Sequence, residues 1–306
     1  MDVQARNARA EAQEVVGDAF VASVLEPSPP AVVDGPWFAD DPYRPVPRWA
    51  DWLAGRPEHQ AWAAERWLDR CRPLSPAPDS LAETRLSLHR LAVYVISPAR
   101  RRANGKIGLR WTLGGFGTPF FGEDEQVRVQ GTQLVRQRGG TAAAQPITTL
   151  AAAAEFVLDG PPDVAWAESF DVPPPGDAGA PLGVDTTAAT FLGDWYGFAT
   201  SVLEALRAEP GSSDESRVQI WPEHFDVAFD CLPPDRRATF GASPGDARVP
   251  QPYFYVLPPA VDGSDLWNAD SFAGAILPLE AFVAATDQHG VVLDFLRVRR
   301  DHLLAR

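Results

Sequence analysis

The residues best suited to chemistry lie in one run, RVQIWPEHFDVAFD, Arg217 to Asp230, where His224 stands between the carboxylates of Glu223 and Asp226. An imidazole titrates near neutral pH and a carboxylate can fix its tautomer. The trio therefore has the composition of a general base with an orienting acid, His224 with Asp226 or Glu223. The same run alternates apolar residues at Phe225, Val227 and Phe229, the period-two pattern of a strand with one buried face. Drawn as one strand over 217–231, it places Trp221, Glu223, Phe225, Val227, Phe229 and Cys231 toward the core and His224, Asp226 and Asp230 on the other face. His224 and Asp226 then stand about 7 Å apart, within reach of one ligand. Pro222 cannot donate to a ladder, which predicts a bulge or a strand start beside it and frees Glu223 from the core face. Two uses of His224 and Asp226 stay open: hydrogen-bonded residues of a sheet face, or a ligand-facing pair.

Other motifs are weaker. GASPG, Gly241 to Gly245, matches the pattern of a nucleophile elbow, but Pro244 has no N–H to serve as the oxyanion donor after Ser243, and a strand-like segment follows instead of a helix. Ser-Pro-Gly-Asp reads as a turn. GGFG, Gly114 to Gly117, lacks both dinucleotide and P-loop spacing and reads as a sheet corner. Lys106, the sole lysine, follows Asn104-Gly105, a favoured hairpin pair, and is expected at a solvent-facing strand start. Cys71 and Cys231 stand apart without metal-ligand spacing and are expected as buried free thiols; no metal site and no cofactor is implied.

The elements that must position these residues divide the chain at residue 83. Residues 1–83 are expected to hold helices near 12–25 and 57–71 around a Pro-rich arm at 27–47, which carries Trp37, Phe38 and Tyr43. Residues 84–306 are expected to form an α+β main domain. Runs at 84–97, 105–113 and 125–135 read as a first antiparallel β block. Helices follow at 147–158, starting at Thr148 or Thr149, and at 184–211, capped by Asp185 or Thr186. A second β block spans 217–231, 236–242 and 252–257, and a last helix begins at Asp287. The two blocks form one sheet or two; no residue-level repeat decides.

Composition narrows the function. The 306 residues are 45% apolar with ten Trp and sixteen Phe, enough for a large core. A net charge of −14, from 27 basic and 41 acidic residues, opposes binding to nucleic acid or to anionic membrane surfaces. The opening residues lack the apolar core of a secretory signal, and no span reaches the roughly 18 apolar residues of a membrane helix, so a cytoplasmic location is expected.

In chain order, NGKIGLRWTLGGFGTPFF, VQIWPEHFDVA, GASPGD, QPYFYVLP and LWNADSFAGA resemble a family of proteins of high-GC, actinobacterial-type bacteria that has no assigned activity. The resemblance implies a cytoplasmic bacterial protein with one folding unit and adds no chemistry. The leading expectation is a soluble small-molecule-binding or otherwise non-catalytic protein, whose candidate pocket would gather Arg110, Trp111, Trp221, Tyr253 and Tyr255 together with His224 and Asp226 around a polar ligand. The alternatives are a cofactor-independent hydrolase or isomerase built on His224, and an interaction subunit that docks through the Trp-rich arm at 37–67. The sequence assigns no oligomeric state.

Overall fold

The computed structural model describes residues 73–306 apart from 113, 123–124 and 139–140, together with residue 57. The expected helices at 12–25 and 57–71, the aromatic arm and Cys71 lie outside this body. The architecture is α+β, as expected. The first sheet runs in chain order through β1 (Arg110–Thr112), β2 (Gly115–Gly117), β3 (Glu125–Gln130), β4 (Gln133–Arg138) and β5 (Thr141–Pro146). The second does the same through β6 (Gln219–Trp221), β7 (Asp226–Cys231), β8 (Ala238–Ser243), β9 (Tyr253–Leu257) and β10 (Ala275–Pro278). Every pairing is antiparallel. Leu109, beside β1, and Ile220, in β6, exchange both backbone hydrogen bonds at 2.8 Å, so the two sheets meet edge to edge at one residue pair.

The helix α4 (Thr186–Arg207) holds both sheets. The Asp185 side chain caps it by accepting from the Ala188 N–H at 2.9 Å. Trp195, Tyr196, Ala199, Val202, Leu203 and Leu206 are fully buried along it. A helix apolar on so many sides belongs at the centre, and α4 packs against β1 and β2 of one sheet, β7 and β8 of the other, and the neighbouring helices. One continuous core results. Gly193 allows the close approach to the first sheet, because a Cβ there would lie 2.7 Å from the Gly114 carbonyl carbon and 2.9 Å from the Gly115 nitrogen.

The expected strand at 84–97 is helical. α1 (Leu81–Leu91) passes through a π-helical turn, Ala92–Ile96, into α2 (Ser97–Asn104). The AVYVI run is β-branched enough to read locally as strand, but Leu81, Leu88, Leu91, Ala92 and Val95 share a helical face, and burying that face outweighs propensity. The expected domain start at residue 84 therefore falls inside α1. Asn104-Gly105 is likewise no hairpin: Gly105 adopts φ 78° and returns its N–H to the Arg101 carbonyl at 2.8 Å, which ends α2. The helices α3 (Leu150–Leu158), capped by Thr149, and α5 (Gln288–Leu304), capped by Asp287, fall where the sequence places them. β5 and β10 lie outside the expected strands; TAAAQP carries almost no β-propensity and AILP ends in proline. No helix among the described residues is long and apolar enough to cross a membrane.

Gly193→Val is expected to cost about 1–3 kcal/mol by forcing α4 off the first sheet. Gly160→Ala, where a Cβ meets nothing within 4 Å, is expected to stay within about 0.5 kcal/mol of wild type. Urea denaturation of both variants tests the comparison.

Candidate functional site

The run 217–231 is a hairpin, not one strand. β6 ends at Trp221, residues 222–225 turn, and β7 begins at Asp226, paired back to Trp221. Pro222 marks the break, as its missing donor predicts. Phe225 sits in the turn at φ 56°, a costly conformation for a bulky side chain, and its N–H reaches the Trp221 carbonyl at 2.7 Å. The ring is held on three sides. His89 stacks on it with centroids 4.9 Å apart, Phe116 of β2 meets it edge-on at 5.0 Å, and Tyr196 of α4 does so at 5.6 Å. The Tyr196 hydroxyl also donates to the Phe225 carbonyl at 2.7 Å. Val227 and Phe229 are buried in β7, as the alternation predicts.

The expected His224–Asp226 pair does not form. His224 is exposed at the turn tip, whereas Asp226 is buried and its Oδ2 accepts a hydrogen bond from the Tyr255 hydroxyl. β7, β8 and β9 explain this contact. Ala228, Gly241 and Tyr255 are neighbours across the three strands, and since Gly241 has no side chain, the Tyr255 ring lies over it to reach Asp226. The outer face of the second sheet thus gathers Asp226 with Trp221, Tyr253 and Tyr255, and Phe272 meets Tyr255 edge-on at 6.4 Å. The Tyr253 hydroxyl donates to Asp246 Oδ2 at 2.9 Å.

The other expected residues lie elsewhere. Trp111 is buried toward α4 and donates its indole N–H to the Gly193 carbonyl at 2.9 Å, a packing role. Arg110 lies in β1 with its guanidinium 6.0 Å from the Phe120 ring. Ser243 ends β8, and its Oγ accepts from the Gly245 N–H at 3.1 Å in a turn; no helix follows to make an elbow. Cys231 is a buried free thiol. Among the described residues, no three His, Cys, Asp or Glu side chains gather as metal ligands. An open pocket of about 420 Å³ lies in the loop between β9 and β10, between Val261, Trp267 and Phe272.

Sequence reasoning missed Arg85, His89 and Tyr196, since two of them lie on the helix read as strand. Arg85 and His89 are one helical turn apart, the available signal once α1 is recognised. Arg85 is enclosed by the 244–250 loop, donating to the carbonyls of Pro250 at 2.8 Å, Pro244 at 3.2 Å and Asp246 at 3.5 Å. The His89 Nε2–H donates to the Pro222 carbonyl at 2.9 Å.

Burial sets the electrostatics. It raises the Asp226 carboxyl to about 6, against the opposing hydrogen bond from Tyr255 and the field of His224, and the Glu223 carboxylate adds to the rise. Burial raises Glu223 as well. It lowers His89 to about 4, against the hydrogen bond to Pro222. Two carboxylate oxygens, Asp226 Oδ1 and Glu223 Oε2, are buried without a hydrogen-bond partner. Such orphans are rare and ask for a reason.

Asp226 and His89 act oppositely on stability. The folded state holds the Asp226 proton more tightly than the unfolded chain does. Its contribution therefore weakens as pH rises from the unfolded value, about 4, through the folded one. The neutral His89 contribution is complete above about pH 6.5 and is lost as pH falls toward its folded value. Asp226→Asn is expected to gain Tm relative to wild type as pH rises from about 4 to about 7, while the deficit of His89→Gln widens over the same interval. Melting curves across this range check both signs; parallel profiles would show that neither group is shifted. Because His224 is exposed, His224→Ala is expected to leave stability within about 0.5 kcal/mol of wild type in the same melts.

No family model, curated protein or solved structure matches the chain.

Proposed function

We propose that the protein is a non-catalytic binder of a small polar ligand, taken up on the outer face of the second sheet around Asp226. The observation that carries this reading is the partnerless Asp226 Oδ1 at the foot of an aromatic wall. A buried acceptor without a donor costs about 1–3 kcal/mol, and a ligand donor would remove that cost. Directed polar groups set among aromatic side chains are the usual make-up of a small-molecule site. Arg110 and Trp111 drop out of the expected binding set, while Trp221, Tyr253, Tyr255 and Asp226 stay in it.

A second reading, cofactor-free acid–base catalysis, draws on the Asp226 carboxyl held near 6, where a side chain can both give and take protons around neutral pH. It is the weaker one because His224 neither reaches Asp226 nor shares its burial. The net charge of −14 speaks against nucleic acid as the partner. The resemblance of the WPEHFD, GASPGD and PYFYV segments to a family of high-GC bacteria supports a cytoplasmic bacterial setting.

The reading is tested by a thermal-shift screen of small polar metabolites on wild type, Asp226→Asn and His224→Ala. Ligands that raise the wild-type Tm are expected to lose that effect in Asp226→Asn and keep it in His224→Ala. Ligand-induced shifts of equal size in wild type and Asp226→Asn would place binding elsewhere. Turnover of a hit by wild type that His224→Ala abolishes would favour the catalytic reading.

A further inference from the structure

We infer that the ligand of this site carries a protonated amine attached to an apolar or aromatic body, an inference that rests on the binding reading above. The polar groups around Asp226 are unbalanced toward acceptors. From the turn come Glu223 and His224, from β7 Asp226, from the 244–250 loop Asp246, from β9 the hydroxyls of Tyr253 and Tyr255, and from the helices Arg85, His89 and Tyr196. Apart from His224, which is exposed at the turn tip, the donors are already committed. Arg85 donates to three backbone carbonyls, His89 to Pro222, Tyr196 to Phe225, Tyr253 to Asp246 and Tyr255 to Asp226.

The acceptors are not. Asp226 Oδ1 and Glu223 Oε2 are both buried and unpartnered, and the Glu223 carboxylate is near enough to act on Asp226. Asp226 is 7% exposed, so its free oxygen is a built feature of the interior and not a surface charge awaiting water. An anionic ligand would add repulsion to this pair. A neutral hydroxyl could satisfy one oxygen and would leave the charge of the pair uncompensated. An ammonium supplies three donors and a positive charge, which relieves both. The aromatic wall of Trp221, Tyr253 and Tyr255 suits such a group, since ring faces attract cations and ring bodies bury the apolar remainder. Entry would be at the rim, where Trp221 and Glu223 are half-buried and His224 is exposed.

The test is calorimetric titration of the full chain with three probes of one shape, phenethylammonium, 2-phenylethanol and phenylacetate, and with two further amines, putrescine and ethanolammonium. Phenethylammonium is expected to bind wild type at least about tenfold more tightly than either uncharged or anionic counterpart, the scale of one charge-assisted contact. Asp226→Asn and Glu223→Gln, both isosteric and both first checked by melting, are each expected to weaken it about tenfold or more. Amine affinity unchanged in both variants, or phenylacetate binding as tightly as the amine, would overturn the inference. If the amines fail while a neutral or anionic compound binds in an Asp226-dependent way, the amine assignment falls and the binding reading stands. If no compound in this set or in the metabolite screen responds to Asp226→Asn, both fall.

Discussion

The structure depends on the way Phe225 is held. Its ring is the point at which four parts of the molecule touch: α1 through His89, the first sheet through Phe116, α4 through Tyr196, and the β6–β7 hairpin that carries it. The backbone there adopts φ 56°, which a phenylalanine resists. Packing on three sides and the Tyr196 hydrogen bond to its carbonyl offset that resistance. The turn matters because it sets the start of β7. Asp226 follows directly, and the direction of its carboxylate is set by the backbone that Phe225 anchors.

The two sheets have different relations to this anchor. The first contributes Phe116 and the glycine corner that lets α4 approach at Gly193. The second contributes a core face, where Phe229, Phe240 and Phe254 are buried, and an outer face where a carboxylate is tied to a tyrosine. Edge-to-edge contact through Leu109 and Ile220 and the shared helix α4 make them one body. The outer face of the second sheet is thus mounted on a rigid support, since its strands are backed by α4, most of which is buried. Rigid support is what a site with few directed contacts requires.

The acid–base idea raised by His224 and Asp226 shows how much hangs on one turn. On a continuous strand the two side chains share a face and lie two residues apart. With the turn in place, His224 moves to the tip and into solvent while Asp226 enters the ladder and is buried. Asp226 then takes its partner from β9, twenty-nine residues along the chain. The same change exposes an imbalance between donors and acceptors that no reading of residue types alone reveals, because it depends on which donors are already engaged.

Elements whose signals are local and unopposed were legible in the residues alone. Asp185 and Asp287 announced their helices because a cap is a contact between near neighbours. Val227 and Phe229 announced β7 by alternation, and Pro222 announced its interruption because a missing N–H acts wherever proline stands. The class of the fold followed from the order of these pieces. Matters settled by burial between distant segments became visible only in the packed fold. The LHRLAVYVIS run became helix because a continuous apolar stripe found a core to face, against the strand tendency of its β-branched residues. TAAAQP became strand because β4 offered it a ladder. The candidate site itself was split in the same way: Asp226, Tyr253 and Tyr255 were visible as residue types on strands, but their meeting depends on Gly241 leaving room for a ring, and the lone oxygen on Asp226 depends on the buried donors nearby being spent elsewhere. Hydrogen-bond balance in an interior is a property of the whole packed neighbourhood, and no stretch of chain carries it alone.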